Sequence, residues 1–103
     1  MDSSLRKLTL AFPKAIESSI LDALDSLDPP LTGYSFVNGK GRGADMQLTN
    51  VSERVQGAAN VILLYVVLPQ NDVDAVLEAI RARCSRPNIS YWIEPVLEFG
   101  RLQ

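Results

Sequence analysis

The sequence predicts one small domain of the α+β class, and three observations support this prediction. The chain has 103 residues, which is the length of one domain rather than two. Hydrophobic residues make up 47% of the chain, enough for a core and too many for a disordered segment. Stretches with strand periodicity and stretches with helix periodicity follow one another in the order βαββαβ. We therefore expect residues 1–103 to form a single domain.

The first half of the chain is predicted to contain a strand, a helix and a short second strand. Residues 5–12 alternate between apolar and other side chains, which is typical of a strand. Pro13 ends this strand and suits the first turn of a helix. Residues 14–27 then carry apolar side chains at helical spacing, and two prolines after Asp28 end the helix. Residues 34–37 are predicted to form the second strand.

The second half is predicted to contain a strand, a helix and a final strand. Residues 61–68 form an unbroken apolar strand, and Asn71 is expected to cap the helix that follows. The apolar residues on the predicted buried face of that helix are Val73, Val76, Leu77 and Ile80. Residues 89–99 are predicted to form the last strand, and Pro95 within it implies an edge position or a bulge.

This order of elements predicts a ferredoxin-like antiparallel sheet with both helices on one face. Residues 61–68 are apolar on both sides of their strand, and such a strand is normally covered on both sides. We therefore expect other copies of the chain to cover the face that the helices leave open. The alternative is a central strand that tolerates a few exposed aliphatic side chains.

Composition argues against several classes of function. The formal charge is −2 and the cations form no long run, so nucleic acid is not an expected partner. No apolar run approaches the ~20 residues that span a bilayer, so we expect no membrane insertion. The polar start does not resemble a signal peptide, and a single cysteine builds no disulfide framework. We expect a cytoplasmic protein.

The sequence offers no recognisable catalytic machinery. It contains no histidine, which removes the commonest general base and the commonest transition-metal ligand. The carboxylate pairs Asp72/Asp74 and Glu94/Glu98 are explained equally well by a helix start and a solvated sheet edge. Cys84 is expected to be a half-buried structural residue. We therefore predict that the chain is not an enzyme and has no metal site.

The working part of the chain is predicted to be the long stretch between strands two and three, residues 39–59. It has no sustained periodicity, and its glycines are Gly39, Gly41, Gly43 and Gly57. Consecutive amides freed by glycine can form an anion nest, to which Lys40 and Arg42 would add positive charge. A glycine-rich bend that lets the strand leave the sheet explains the same residues equally well.

A short motif within this stretch, Arg54-Val55-Gln56-Gly57, resembles the phosphate-binding loop of acylphosphatases. In that family the loop follows the first strand and opens the first helix, whereas here the motif lies between strands two and three. An enzyme of the acylphosphatase type therefore stays a remote alternative.

Nearly the whole chain resembles the PII signalling family. The segments that carry the resemblance are a Gly-x-Gly-Arg element within residues 37–42, the junction at residues 66–74, and the tail at residues 91–102. The tail and the glycine segment resemble most closely an uncharacterised PII-like family of proteobacteria. The resemblance implies a PII-like homotrimer in which residues 39–59 are equivalent to the T-loop, the partner-docking loop of PII proteins.

The resemblance also implies ligand sites in clefts between subunits, at the base of this loop. The residues expected to contact a ligand are Gly39, Gly41, Arg42, Gly43, Arg86 and Arg101. The residues expected to dock a protein partner, for which a membrane transporter is one candidate, are Asp45, Met46, Gln47 and Leu48. In PII proteins the cleft takes an adenine nucleotide. Here residues 85–88 contain no glycine or lysine, which argues against the usual mode of ATP binding.

A metal-responsive or metal-trafficking trimer of the CutA type, associated with heavy-metal efflux, is the alternative that related families imply. The candidate ligands are Asp45, Met46, Glu53 and Cys84, and no metal-site spacing connects them. Uridylylation of the loop is excluded, because no tyrosine lies between Asn38 and Asn60.

Overall fold

The computed structural model describes residues 4–43, 48–84 and 88–103. In chain order, the strands and helices are β1 (Leu5–Pro13), α1 (Glu17–Asp25), β2 (Ser35–Gly41), α2 (Val51–Gln56), β3 (Ala59–Pro69), α3 (Gln70–Arg83) and β4 (Ser90–Pro95). A 3-10 turn, Lys14–Ile16, joins β1 to α1. The strands form an antiparallel sheet in the order β2-β3-β1-β4. The predicted α+β, ferredoxin-like fold is confirmed.

One face of the sheet packs against α1 and α3 and forms the hydrophobic core. The strand residues on this face are Leu8, Leu10, Phe12, Ile62, Leu64, Val66 and Leu68. The helix residues that cover them are Ile20, Ala23, Leu24, Val73, Val76, Leu77 and Ile80. Each of these side chains is at most 8% exposed, and each large one contributes about 1.5–3 kcal/mol by its burial. The predicted buried face of the second long helix is confirmed.

The opposite face of the sheet is also apolar along its central strand. The half-buried residues of β3 on this face are Val61, Leu63, Tyr65 and Val67. Thr9 of β1 lies between Tyr65 and Trp92 in the strand register, and its buried hydroxyl lacks a hydrogen-bond partner within the described chain. The Lys7 ammonium lies 4.9 Å from the centre of the Tyr65 ring. The prediction of a strand that is apolar on both faces is confirmed.

The two long helices differ from the prediction at their ends. A 3-10 turn precedes α1, and α1 ends at Asp25 because the N–H of Leu27 already bonds to the carbonyl three residues back, at 3.2 Å. Asn71 does not cap α3, which begins one residue earlier. β3 runs directly into α3, and the backbone N–H of Gln70 donates to the carbonyl of Ser4 at 2.5 Å. That bond satisfies a helix-start amide without a side-chain cap.

The stretch predicted as a loop, residues 39–59, contains more secondary structure than the sequence indicated. β2 continues to Gly41 instead of ending at residue 37, and Gly39 and Gly41 pair with Val61 and Ala59. β3 begins at Ala59 and α2 forms between the two strands. The connection between β2 and β3 is therefore residues 42–58. The hydrogen bonds to β3 outweigh the low strand propensity of glycine, which made the prediction wrong.

α2 is short, and the residues at its two ends explain why it forms. Asn50 is the N-cap, and its Oδ1 accepts a hydrogen bond from the N–H of Glu53 at 2.8 Å. Gly57 ends the helix in the left-handed conformation with a φ of 68°, which glycine adopts without strain. Six residues make less than two turns, so hydrophobic periodicity has too few positions to reveal this helix.

β4 is an edge strand, as its proline indicated, and it ends at Pro95 instead of residue 99. The N–H of Val96 donates to the carbonyl of Leu5 at 3.1 Å, after which residues 97–103 form no strand or helix. The large apolar side chains exposed in this tail are Leu97, Phe99 and Leu102. In the ranges that the structure describes, no helix has the length and apolar character needed to cross a membrane.

Candidate functional site

A cleft of about 790 Å³ lies where β1 ends, β2 ends and β3 begins. These three points meet because β1 and β2 both run antiparallel to β3, which places Pro13 and Gly39 opposite Val61. Gly41, Asn50 and Glu53 of α2 also line it, so the cleft lies at the base of the connection between β2 and β3. We call it the loop-base cleft. Its volume falls in the range that accommodates a small ligand.

Two lysines form the positively charged part of this cleft. The Lys40 ammonium donates to Asn60 Oδ1 at 2.6 Å, and the Lys14 ammonium donates to Asn38 Oδ1 at 3.1 Å. Lys14 also lies 3.7 Å from the carboxylate of Glu17. Lys40 was expected to add positive charge to an anion nest, whereas Lys14 was not among the predicted ligand-binding residues.

Glu53 lies at the inner side of α2, and its carboxylate joins α2 to the start of β3. It is 5% exposed, and within the described chain no other charged side chain is buried to this degree. Oε2 accepts from the N–H of Asn60 at 2.5 Å, while Oε1 accepts from the N–H and the hydroxyl of Thr49 at 2.8 and 2.9 Å. These bonds, with that from Asn60 foremost, lower the pKa of Glu53. The carboxylate therefore stays ionised at neutral pH and fixes α2 in place.

The outer side of α2 carries two apolar side chains that the chain itself does not cover. Val51 and Val55 are 71% and 81% exposed, and they are four residues apart, so they lie on the same face of the helix. Glu53 lies between them in sequence, but its side chain is buried on the inner side of the helix. The face formed by Val51 and Val55, which we call the α2 face, is therefore an apolar surface next to the loop-base cleft.

The structure separates the predicted ligand-binding residues instead of bringing them together. Gly39 and Gly41 line the loop-base cleft. Arg42 and Gly43 line a second cleft of about 590 Å³, together with Gly57 and the predicted docking residue Leu48. Arg101 lies in the exposed tail, and Arg86 lies outside the described residues, as do Asp45, Met46 and Gln47.

The anion nest predicted around Gly39 and Gly41 does not form there. A nest needs successive amides that point to one place, whereas both glycines lie in β2, where successive amides point to opposite sides. The alternative, a glycine-rich bend at which the strand leaves the sheet, is not found at these two glycines either, because both pair with β3.

The acylphosphatase-like motif lies on α2 and forms no phosphate loop. The N–H of Gly57 donates to the Glu53 carbonyl at 2.8 Å and the N–H of Arg54 donates to the Asn50 carbonyl at 3.1 Å. These amides are therefore occupied by the helix. For the metal alternative, residues 4–43, 48–84 and 88–103 contain no group of three or more His, Cys, Asp or Glu side chains that could hold an ion.

The fold of the chain is that of PII-like proteins. CPII, a nitrogen regulatory PII-like protein from Thiomonas intermedia K12 whose structure contains ADP, AMP and bicarbonate, shares this fold. The TM-score is 0.68 at 20% identity, covering 96% of both chains. Arabidopsis thaliana PII bound to citrate has a TM-score of 0.65 at 17% identity, covering 92% of this chain and 79% of its own.

The chain belongs to the DUF3240 family of proteins of unknown function, whose model matches residues 2–103. A crystal structure of a DUF3240 family protein from Shewanella baltica OS155 has a TM-score of 0.78 at 25% identity and covers 98% of this chain and 99% of its own. A comparison with curated proteins found no match. The predicted resemblance to an uncharacterised PII-like family is confirmed.

Proposed function

We propose that the chain is a PII-like regulatory protein that works in the cytoplasm as a homotrimer. In this proposal it senses a small ligand in clefts between copies and docks a protein partner through residues 42–58. The observation that carries the proposal is the position of the loop-base cleft. It lies where the half-buried apolar face of the sheet meets the foot of the connection that bears α2.

Assembly is supported by apolar surface that a single chain leaves exposed. The second face of β3 is half-buried, and Leu97 and Leu102 of the tail are almost fully exposed at 91% and 104%. Apolar surface of this kind marks an interaction site in a soluble protein. The radius of gyration is 15.1 Å, against about 13 Å for a compact domain of this length. Copies that pack through these surfaces would cover both.

The proposed ligand is a small anion or a nucleotide, which is the chemistry found in the structures of CPII and plant PII. Arg42 and the cleft lysines supply positive charge at the loop base. Arg101 lines neither cleft of its own chain, and the tail starts beside Leu5, at the other end of the sheet. We therefore assign any contact between Arg101 and a ligand to the cleft of a neighbouring copy.

The proposed docking surface is the α2 face, and Leu48 precedes it by three residues in the chain. A partner protein, such as a membrane transporter, would cover Val51 and Val55. These two side chains are exposed in the free chain and are not part of its core. Glu53 would keep this face oriented outward. No catalytic step is part of this proposal, because the carboxylate oxygens of Glu53 are already occupied by backbone and hydroxyl donors.

Titration calorimetry with ADP, AMP, bicarbonate and citrate tests the sensing function. We expect the wild-type chain to bind at least one of them, and Arg42→Ala to bind it about tenfold more weakly, since a charged hydrogen bond is lost. Arg54→Ala is the matched control, because Arg54 lies on the same connection but lines neither cleft. Absence of binding to the wild-type chain would remove the sensing function and leave only docking.

A further inference from the structure

The loop-base cleft contains two ammonium groups whose hydrogen-bonding capacity is only partly used. Lys14 and Lys40 both line it, and each donates one hydrogen bond to an asparagine amide oxygen. An ammonium group carries three hydrogens, so each lysine keeps donors for a further acceptor. Both side chains therefore can turn spare donors toward a ligand in the cleft without losing their anchors.

The anchors bring the two lysines to one wall of the cleft. Asn38, which holds Lys14, is two residues before Lys40 on β2, so both lie on the same face of the sheet. Asn60, which holds Lys40, lies directly opposite Lys40 on β3. The two asparagines are therefore diagonal neighbours, about 7–8 Å apart. Two positive charges lining the same cleft suit a ligand with more than one negative group.

The acidic groups near the lysines cancel only part of this charge. Glu17 lies 3.7 Å from the Lys14 ammonium, whereas no ion pair of Lys40 occurs among the described residues. The carboxylate of Glu53 is turned to Thr49 and Asn60, and its oxygens already accept three hydrogen bonds. The wall formed by the lysines therefore attracts anions.

We propose that Lys14 and Lys40 form an anion subsite in the loop-base cleft, and that its ligand is a small molecule with at least two negative charges. The inference rests on the proposed function, because it names the ligand class of the sensing cleft. Asn60 connects this subsite to α2: its side chain holds Lys40 and its backbone N–H holds Glu53. An anion held by Lys40 is therefore linked through Asn60 to Glu53, the residue that fixes α2.

Titration calorimetry on the full chain with inorganic pyrophosphate and, separately, with succinate tests the subsite and distinguishes phosphate from carboxylate ligands. The wild-type chain is expected to bind at least one probe. Lys14→Gln and Lys40→Gln are each expected to bind about tenfold more weakly, because each loses a charged hydrogen bond. Lys14→Arg and Lys40→Arg keep the charge and should keep most of the affinity. Arg81→Gln is the control, because it removes the same charge from an exposed position on α3.

Two results would overturn the inference: no binding of either probe to the wild-type chain, or equal affinity in the wild type and both glutamine variants. Either result would leave the proposed sensing function open to its own test, which uses different ligands and the Arg42→Ala variant. If ADP, AMP, bicarbonate or citrate binds in a manner that depends on Arg42 and not on the lysines, the sensing function stands and the lysine subsite does not.

Discussion

Replacing Glu53 with alanine is expected to release α2 from the start of β3. The substitution removes the acceptor of three hydrogen bonds, two from Thr49 and one from the N–H of Asn60. A buried N–H or hydroxyl group that loses its acceptor carries the full free-energy penalty of its desolvation. This penalty exceeds the net contribution of an ordinary hydrogen bond to stability. We expect the amides of Asn60 and α2 to exchange with deuterium at least about tenfold faster, while amides of β1 keep their rates.

The matched control for this variant is Glu78→Ala. It removes the same side chain from α3, where Glu78 is 70% exposed and pairs with the exposed Arg81. Exchange in residues 49–60 should match the wild type in this control. If Glu53→Ala behaves like Glu78→Ala, the carboxylate does not hold α2, and the proposed link between cleft and docking face loses its physical basis.

The same carboxylate should make the stability of the connection depend on pH. Hydrogen bonds from the backbone of Asn60 and Thr49 and from the Thr49 hydroxyl lower the pKa of Glu53 from its ordinary value of 4.5. The stabilisation is therefore fully present above the unfolded-state pKa and is lost as the pH falls through the folded-state pKa. The difference in free energy of unfolding between the wild type and Glu53→Gln should be largest at neutral pH and vanish in acid.

Replacing Leu63 with glutamate is expected to dissociate the proposed trimer while the chain stays folded. Leu63 lies on the second face of β3, opposite Ala11 and Val37, and contributes nothing to the core beneath the helices. An unpaired carboxylate buried between copies costs several kcal/mol, so the assembly should weaken at least about a hundredfold. Analytical ultracentrifugation measures the assembly, and circular dichroism checks the fold.

Val51→Glu is the control for the assembly prediction, because it places the same charge on the exposed α2 face. This variant should assemble as the wild type does, but it should lose the proposed partner. If Leu63→Glu stays assembled with the wild-type affinity, copies of the chain do not meet through the second face of β3.

The sequence predicted the fold well because its strands and long helices bury one face each. Alternation in residues 5–12 and the continuous apolar run at 61–68 are direct consequences of packing on a sheet. The edge position of β4 followed from Pro95, since proline cannot donate to a central ladder. The helix ends were predicted less accurately. The start of α3 is held by a hydrogen bond from the N–H of Gln70 to the carbonyl of Ser4, and these residues are distant in sequence.

The candidate site was harder to predict, because its groups meet through tertiary structure. Lys14, Asn38 and Asn60 lie on three separate elements, and no local pattern links them. The sequence does contain a signal for α2. Asn50 and Glu53 have the spacing of a helix N-terminal capping box, and Gly57 is a residue that commonly ends a helix. Gly39 and Gly41 were predicted to lie in a loop because glycine has a low strand propensity. Their strand conformation depends instead on pairing with β3.

The central claim is that copies of the chain assemble around a shared ligand cleft. Native mass spectrometry of the full chain, purified gently from its source cells, tests this most directly, because it reports the assembly and a retained ligand in one spectrum. The account predicts a species with three times the mass of one chain, with additional mass from a small bound molecule. A single chain without added mass, at concentrations where PII-like trimers persist, would contradict it.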